Sequence, residues 1–491
     1  MSRNHHLILP AVLLLAACSL EEPRESFVSP TDFFQTRPQC VAALNGCYYP
    51  LKNIYTMLML IATEGVTDLA SIQSSQLDCQ LDISPAHPRF GTTVWQYGYV
   101  GVRNACCAVD GIRRSPLEDD VRLPLEAEGR IMRAYYYYIL TCFFGDVPFY
   151  EDYIDSVEDL KRIAALPRMS AVETRDALIA ELQEYVPYLP QVRTCEVEDY
   201  RAGAAMGWML IAKMAMWNHR WETALEALGH LEDLYGDLSQ YPLSDIPLRN
   251  KNTPESIFEI QHDYQVNGTD FHSNCASICM PYRRTAGTAV YDGVEIPELG
   301  DEATAWQPLR PNPYLYNILM PRSSSDRRKD MTLVWEWNGH EFSRNWLGPK
   351  FWCPGLLQSN DSNNYKIFRY ADAVLMTAEC HAELGNTAEA VRYLNRVRDR
   401  AGIEPASGTL GKVQLDREIR KARARELFGE FQRKWDLVRW GIWYRQTYEY
   451  TAYSNLRNRM KPCHEYYPIP DVEVLASGGA LDNKEYEKYG L

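Results

Sequence analysis

Residues 212–225 have the sequence AKMAMWNHRWETAL, and residues 378–391 have the sequence AECHAELGNTAEAV. Aligning the two stretches brings small residues into register: Ala212 with Ala378, and Ala224 with Ala390. Small residues at such positions let two antiparallel helices approach closely, as in tetratricopeptide repeats. The two stretches therefore predict two copies of a helix-turn-helix unit in a protein built from helical repeats.

Most of the chain has the same helical character. Apolar residues recur at helical spacing in long stretches: 35–58, 97–113, 122–144, 171–186, 202–217, 221–234, 369–385, 387–401 and 415–430. Ser170 and Glu173 have the spacing of a capping box, and Asn386 begins a similar helix start directly after Gly385, a predicted helix end. The predicted fold class is mainly α, with a tetratricopeptide-like helical repeat scaffold.

The region 236–368 has a different pattern, with many prolines and only short apolar runs such as 256–260. Such composition predicts loops with a few short strands. An irregular segment of this length inside a helical protein is more often functional than not. We therefore expect it to carry part of a ligand-binding surface.

Composition narrows the class of protein. The 491 residues carry a net charge of −14, and no long Lys/Arg block occurs, so nucleic acid is not an expected partner. Hydrophobic residues make up 46% and aromatic residues 12%, which indicates a globular chain with a large core. Cys106, Cys107, Cys142 and Cys380 lie in helical patterns and are expected to pack as small core residues. No metal or cofactor is predicted.

The N-terminus has the pattern of an export signal. An apolar run from Leu7 to Ala17, broken only by Pro10, is too short to cross a bilayer as a helix. It ends in Leu15-Ala16-Ala17-Cys18, a sequence typical of lipoprotein signal peptides. We expect a signal peptide at 1–17, lipidation of Cys18 and a short acidic tether at 18–30. An ordinary signal peptide with a chance cysteine is the alternative.

Several segments spread over the mature chain together resemble the SusD/RagB family. They are SPTDFF at 29–34, AALNGCY at 42–48, TEG at 63–65, RAYYYYILTCFFGDVPF at 133–149, PRMS at 167–170, ESIFE at 255–259, RYAD at 369–372, NRVRDRAG at 395–402, RELFGE at 425–430, RKWDLVRWG at 433–441 and YPIP at 467–470. No single segment is decisive, but their number and order are.

The resemblance implies a single domain at 31–491. Its scaffold of four tetratricopeptide-like units would span about 31–235 and 369–445. An irregular, loop-rich region that bears the ligand would span about 236–368. The resemblance implies that such a lipoprotein lies on the outer membrane and binds glycan, or in some members peptide. It would form a lid on a SusC-like TonB-dependent transporter barrel, which imports the ligand. The motifs themselves are expected to be structural, with Arg433, Asp436 and Arg439 spaced for ion pairs along a helix.

Sugars have apolar C–H faces and hydroxyl rims, so their sites combine aromatic platforms with polar side chains. Two regions offer this combination. The candidate ligand residues are Asp68, Gln73, Gln76, Arg89 and Trp95 in the first region, and Tyr282, Arg283, Arg284, Tyr291, Trp306, Trp335 and Trp337 in the second.

The aromatic candidates also have a structural interpretation. If 334–338 is a strand, Trp335 and Trp337 project from one face as a paired platform, although both are equally suited to covering the core. Trp95 is expected to pack under the helix that it begins. The run 135–138 of four tyrosines cannot all face inward on one helix, and we expect it to serve scaffold packing.

Motifs of common enzymes are absent from the sequence, including GxSxG, HExxH, Walker and Rossmann patterns. Three hypotheses follow, of which the first is a glycan-binding surface lipoprotein that is not an enzyme. The second is a peptide-binding protein on the same scaffold. The third is a secreted glycoside hydrolase, which requires a cleft with two carboxyl groups, one of raised pKa.

Overall fold

The structure is a computed structural model, and it describes residues 33–74, 78–264, 271–283, 285–305 and 309–491. The helices of these ranges are α1 Arg37–Tyr48, α2 Leu51–Ile54, α3 Met57–Leu60, α4 Phe90–Arg113, α5 Asp119–Phe144, α6 Val157–Ala164, α7 Ala171–Tyr185, α8 Ala204–Trp217, α9 Trp221–Tyr235, α10 Cys275–Cys279, α11 Lys329–Thr332, α12 Tyr370–Glu383, α13 Thr387–Arg400, α14 Lys412–Leu427, α15 Arg433–Arg439, α16 Trp443–Tyr450, α17 Ser454–Arg459, α18 Asp471–Ala476 and α19 Lys484–Glu487. Short π-helical turns occupy Ile61–Gly65 and Tyr314–Leu319. Within the described ranges, no helix combines the length and the apolar character needed to span a membrane.

The helical repeat prediction is confirmed. α8 packs against α9, and α12 packs against α13, as the aligned stretches predicted. All the aligned small residues are buried. The units also stack, because α9 packs against α12 and α7 packs against α8. Each helix therefore contacts chiefly its neighbours, which is the architecture of a repeat scaffold.

Helix ends follow local chemistry. Ser170 caps α7 by accepting a hydrogen bond from the backbone N–H of Glu173 at 3.1 Å. Gly385 follows α12 with a φ of +79°, the left-handed conformation that favours glycine after a helix. The predicted helical stretch at 35–58 contains three helices, α1 to α3. α1 ends at Tyr48, because Pro50 lacks the N–H that a continuing helix would need.

α5 is buried along its C-terminal half, which confirms scaffold packing for the tyrosine run and corrects the expectation that its four rings cannot all face inward. Tyr135 to Tyr138 are all buried, because α5 is covered by α4, α7 and α8 and by two strands. Phe258 and Phe368 from those strands contact Tyr135 with ring centroids 5.3 and 6.0 Å away. Tyr136 donates its hydroxyl to the backbone oxygen of Cys47 at 2.5 Å. Because other elements cover α5 on all sides here, none of the four tyrosine side chains faces solvent.

The region 236–368 contains the predicted short strands. The strands of the described residues, inside and outside this region, are β1 Ala70–Ser71, β2 Ser256–Ile260, β3 Val290–Tyr291, β4 Val294–Glu295, β5 Arg310–Pro311, β6 Leu333–Trp337, β7 His340–Leu347 and β8 Tyr365–Arg369. They form two-stranded antiparallel pairs, β1–β5, β2–β8, β3–β4 and β6–β7. β2 and β8 are fully buried beside α5.

The irregular region has a small core of its own, which we call the second cluster. Its members are Ala276, Met280, Tyr291, Val294, Ile296, Leu299, Ala303, Ala305, Val334, Phe342, Trp346, Trp352, Cys353 and Leu356. The main core holds the helical repeats and the β2–β8 pair. The second cluster thus supports a separate surface on the scaffold.

Buried ion pairs link distant parts of the chain. Arg369 contacts the carboxylates of Glu255, Glu426 and Glu430 at 2.7 to 2.9 Å. The expectation of an ion-paired series along α15 is partly wrong, since Arg433 pairs with Asp68 instead of Asp436. Asp436 does contact Arg439 at 3.2 Å, one turn away.

The described cysteines are all free thiols. Cys106, Cys142 and Cys380 are buried in helices, as expected, whereas Cys107 is only half-buried. Burial raises the pKa of the Cys106 thiol to about 11 and the pKa of the Cys142 thiol to about 12. Both therefore stay protonated and pack as small apolar groups.

Candidate ligand-binding surface

The two regions predicted to bind ligand meet at the β1–β5 pair. Ala70 pairs with Pro311, and Ser71 pairs with Arg310. Two residues beyond β1, the Gln73 side chain accepts a hydrogen bond from the Arg310 guanidinium at 3.0 Å. This contact brings a candidate of the first region to the edge of the second cluster.

Arginine and tryptophan side chains meet beside this pair. The guanidinium groups of Arg310 and Arg344 lie 5.8 and 5.5 Å from the ring of Trp346. Burial, together with the like charge of Arg344, lowers the pKa of Arg310. Asp292 accepts hydrogen bonds from the indole N–H of Trp346 at 2.9 Å and from the Ser343 hydroxyl at 2.6 Å.

Two aromatic candidates, Tyr282 and Trp337, are half-buried against the second cluster. Trp337 contacts Trp352 with ring centroids 4.9 Å apart. Its indole N–H is buried and has no acceptor among the described residues. We use the name ligand face for the residues bonded to or packed on the second cluster that keep exposed atoms: Gln73, Tyr282, Arg310, Trp337 and Arg344.

Three candidates are corrected by burial. Asp68 is fully buried, and Arg433 and Gln446 occupy its carboxylate. Trp95 packs in the main core against Tyr99 and Phe144. Tyr291 is buried in the second cluster and donates its hydroxyl to the backbone oxygen of Gly300 at 2.8 Å. None of these side chains is accessible to a ligand.

The paired tryptophan platform is also wrong. The register of β6 against β7 shifts between Val334 and Glu336, so the ladder is irregular at Trp335. Trp335 packs against the main core, whereas Trp337 packs against the second cluster. The two rings therefore serve different cores.

The remaining candidates divide into two groups. Arg89 and Arg283 are half-buried and donate to the backbone oxygens of Asp82 and Asp301, so both are held by local contacts. Cys18, Gln76, Arg284 and Trp306 lie outside the described residues.

A groove that the sequence did not indicate lies at the end of α1. Its volume is about 420 Å³, and α1, α2, the turn at 199–201, β2 and Phe271 form its walls. Three aromatic side chains there are exposed to solvent: Tyr49 by 57%, Tyr200 by 41% and Phe271 by 44%. We call this the aromatic groove. Large exposed aromatic side chains gathered at one concave site are typical of a binding surface.

Polar groups lie beside the rings. The Lys52 ammonium is 4.2 Å from the ring centroid of Tyr49 and 5.6 Å from that of Phe271. No carboxylate of the described part of the chain forms an ion pair with it. Asn45 and Gln261 supply amide groups at the rim. The groove thus combines flat apolar faces with hydrogen-bonding side chains.

The backbone beside the groove is strained. Asp199 and Tyr200 have φ values of +54° and +55°, a left-handed conformation that is costly for residues with a Cβ. The cost is of order 1 kcal/mol or more for each such residue. Next to them, Arg201 is fixed by the carboxylate of Glu128 at 2.7 Å. The turn is therefore held in a conformation that presents the Tyr200 ring at the groove.

α10 connects the aromatic groove with the ligand face. Before α10, Asn274 accepts a hydrogen bond from the backbone N–H of Met57 at 2.9 Å. Near its end, the backbone oxygen of Ile278 accepts a hydrogen bond from Leu309, the neighbour of Arg310. Phe271 precedes this segment and belongs to the groove. The two surfaces thus share one structural support.

The described ranges contain no group of three His, Cys, Asp or Glu side chains placed to hold a metal ion. Burial raises the pKa of Glu64 to about 7 and the pKa of Asp361 to about 6. Both carboxyl groups are fully buried and lie outside the aromatic groove. Neither is placed to act on a ligand there.

The sequence did not indicate the aromatic groove because its residues come from separate segments. Tyr49, Tyr200 and Phe271 share no motif, and only tertiary structure brings them together. The sole local signal was Tyr48-Tyr49-Pro50, an aromatic pair at a helix end, where one ring has to leave the helical face.

Two family profiles match the chain, "SusD family" over residues 357–486 and "Starch-binding associating with outer membrane" over residues 23–191. Among proteins of Formosa agariphila, SusD-like protein P25 is 24% identical, with 97% of this chain and 98% of the relative covered. SusD-like protein P2 is also 24% identical, with 87% of this chain and 88% of the relative covered.

Solved structures agree on the fold. Surface glycan-binding protein A from Bacteroides uniformis superposes with a TM-score of 0.73 at 22% identity, covering 92% of this chain and all of that one. Surface glycan-binding protein A from Bacteroides thetaiotaomicron, solved in complex with laminarihexaose, superposes with a TM-score of 0.70 at 20% identity. The superposition covers 91% of this chain and 98% of that one. The matched profiles, the relatives along nearly the full length and the common fold together support a protein of the SusD/RagB family.

Proposed function

We propose that this protein binds carbohydrate and delivers it to a SusC-like TonB-dependent transporter of the outer membrane. The observation that carries the proposal is the aromatic groove, where Tyr49, Tyr200 and Phe271 are exposed around one concavity. Aromatic faces pack against the C–H faces of sugar rings, and Lys52, Asn45 and Gln261 can bond hydroxyl groups. The ligand face, connected through α10, would contact further units of the same glycan.

The relatives support this assignment. Structures with the same fold are described as surface glycan-binding proteins, and one of them holds laminarihexaose. One matched profile describes starch binding in association with the outer membrane. These descriptions favour an oligosaccharide or polysaccharide over a peptide as the ligand, and binding over catalysis.

The proposed location follows from the N-terminal pattern and the family. Lipidation of Cys18 would anchor the protein in the outer membrane through several acyl chains, since a single chain gives only marginal membrane affinity. We propose that the anchored protein faces the cell surface, where it meets glycan before the transporter does.

The test is binding of the purified protein to an array of glycans and peptides, with product analysis on every ligand that binds. The proposal predicts saturable binding to at least one glycan and no product. Binding to peptides alone would replace glycan with peptide as the cargo. Release of shorter sugars would identify a glycoside hydrolase and overturn the proposal.

A further inference from the structure

A second cavity, far from the proposed sugar site in sequence, has an unusual charge arrangement. Its volume is about 620 Å³, which is within the usual range of roughly 300–1,000 Å³ for small-molecule pockets. It lies between the end of α5, the start of α7 and the C-terminal segment. Arg175 of α7 forms part of its wall and is only 3% exposed. We call it the Arg175 cavity.

Arg175 has weak partners. Its Nε donates to the Thr141 hydroxyl at 3.3 Å, and its Nη2 donates to the Thr141 backbone oxygen at 3.4 Å. Both distances are long for hydrogen bonds from a charged group. The guanidinium also lies 4.5 Å from the ring centroid of Trp217. No carboxylate of the described residues is at ion-pair distance from it.

The other buried arginines behave differently. Each of those in the described ranges contacts a carboxylate: Arg133 with Glu151, Arg328 with Asp326, Arg369 with Glu255, Arg400 with Glu426, Arg423 with Asp436, and Arg433 with Asp68. A buried guanidinium without an anion is costly, because burial removes its hydration without replacing it. Burial accordingly lowers the pKa of Arg175.

The rest of the lining carries charges of both signs. Arg168 lies in the same wall and already pairs with Asp482 at 3.2 Å and with Glu485 at 3.6 Å, whereas Lys488 is exposed at the rim. Three carboxylates also line the cavity without forming an ion pair with Arg175: Asp146, Glu465 and Glu485. Asp146 is exposed and accepts a hydrogen bond from the backbone N–H of Ala171 at 2.8 Å. Trp217 and Tyr466 supply apolar surface for the remainder of a ligand.

We propose that the Arg175 cavity binds a small organic acid, whose carboxylate pairs with the Arg175 guanidinium and whose remaining atoms pack against Trp217 and Tyr466. The guanidinium offers a planar fork of donors that matches the two oxygens of a carboxylate. The acid is a plain dicarboxylate or a sugar acid, since both present the same group. This site differs in position and in ligand charge from the proposed glycan surface, and does not rest on it.

Calorimetry with succinate and D-glucuronate tests the proposal, with D-glucose as the uncharged counterpart of D-glucuronate. At least one of the acids is expected to bind, and D-glucose is not expected to bind at this cavity. Arg175→Gln should weaken acid binding by about tenfold or more, because a charge-assisted hydrogen bond is lost. Arg175→Lys should recover part of the affinity. Arg220→Gln is the control, since Arg220 lies outside the cavity and already pairs with Asp176 at 3.1 Å.

The pattern of binding identifies the source of the carboxylate. Succinate binding alone would indicate a plain organic acid, whereas glucuronate binding alone would indicate a sugar acid. The proposal is overturned if neither acid binds, or if Arg175→Gln binds as tightly as the unchanged protein. Crystals of the unchanged protein soaked in the acid that binds give an independent result, in which a carboxylate at the guanidinium supports the proposal and an acid bound elsewhere refutes it.

Discussion

Arg433 and Asp68 form a buried, two-pronged ion pair between opposite ends of the chain. The Nε of Arg433 donates to one carboxylate oxygen of Asp68 at 2.9 Å, and its Nη2 donates to the other at 2.7 Å. Gln446 of α16 donates to the same carboxylate at 3.1 Å. The pair fixes α15 against the segment that leads into β1, and so supports the β1–β5 connection under the ligand face.

Removing one partner of this pair should destabilise the protein strongly. Asp68→Ala leaves the Arg433 guanidinium buried and unpaired, and we expect the free energy of unfolding to fall by about 3–5 kcal/mol. Urea denaturation measures the change. The control is Glu341→Ala, which removes an exposed partner of Arg322 and should change the free energy of unfolding far less. Equal losses in the two variants would contradict the structural role of Asp68.

Glu64 should give the stability a distinctive pH dependence. Its carboxyl group is fully buried, and burial raises its pKa to about 7, against about 4.3 in an unfolded chain. Because the pKa is raised on folding, the stabilising contribution is complete below about pH 4.3 and is lost as pH rises through 7. Glu64→Gln removes this titration, so the variant should gain stability relative to the unchanged protein between pH 5 and pH 7.5.

Denaturation of both proteins across that pH range measures the difference between them. The difference cancels the titration of all other groups, including the buried His262 and His464. Glu158→Gln, which replaces an exposed carboxyl group in the same way, is the matched control. A constant difference between Glu64→Gln and the unchanged protein would refute the raised pKa.

The aromatic groove should contribute to ligand affinity without contributing much to stability. Tyr49→Ala and Tyr200→Ala each remove an exposed ring, and we expect a roughly tenfold loss of glycan affinity for each, equivalent to about 1.4 kcal/mol. Tyr188→Ala is the control, because Tyr188 is 46% exposed but lies outside the groove. Calorimetry measures the glycan affinity of the three variants, and thermal denaturation measures their stability. A lower melting temperature without a change in affinity would assign the rings to the scaffold.

Trp337 offers a separate test of the ligand face. Its indole N–H has no acceptor within the described part of the protein, so Trp337→Phe removes an unsatisfied donor and should cost less than about 1 kcal/mol of stability. The indole is half-buried, and Phe lacks part of its ring surface, so glycan affinity should fall several-fold if the accessible part of the indole contacts the ligand. Trp335→Phe is the control, because Trp335 packs on the main core. Unchanged affinity in Trp337→Phe would exclude the lost part of the indole from the site.

The scaffold could be predicted from the sequence because its signals are local. The aligned small residues Ala212 and Ala378 are buried where two helices of the same repeat unit meet, so each contact is encoded within one short stretch of sequence. The site could not be predicted to the same extent, because burial is a property of the assembled chain. Asp68 has the chemistry of a ligand residue, yet Arg433 of a distant helix occupies it.

Irregular backbone limited the prediction in other places. Trp335 and Trp337 have the spacing of one strand face, but the register of β6 against β7 shifts at Trp335, and this shift leaves no clear sequence signal. Tyr200 reaches the aromatic groove only because two consecutive residues adopt a left-handed conformation. Such features follow from tertiary packing, which overrides local preference.

The most direct test of the central claim is calorimetric titration of the purified protein with the oligosaccharide that binds best on the array, repeated with Tyr49→Ala and Tyr200→Ala, with chromatography of the sugar afterwards. The account predicts saturable binding, weaker binding in both variants, and intact sugar. Binding that is unchanged in both variants would remove the aromatic groove from the site, and absence of binding to any glycan would contradict carbohydrate capture itself.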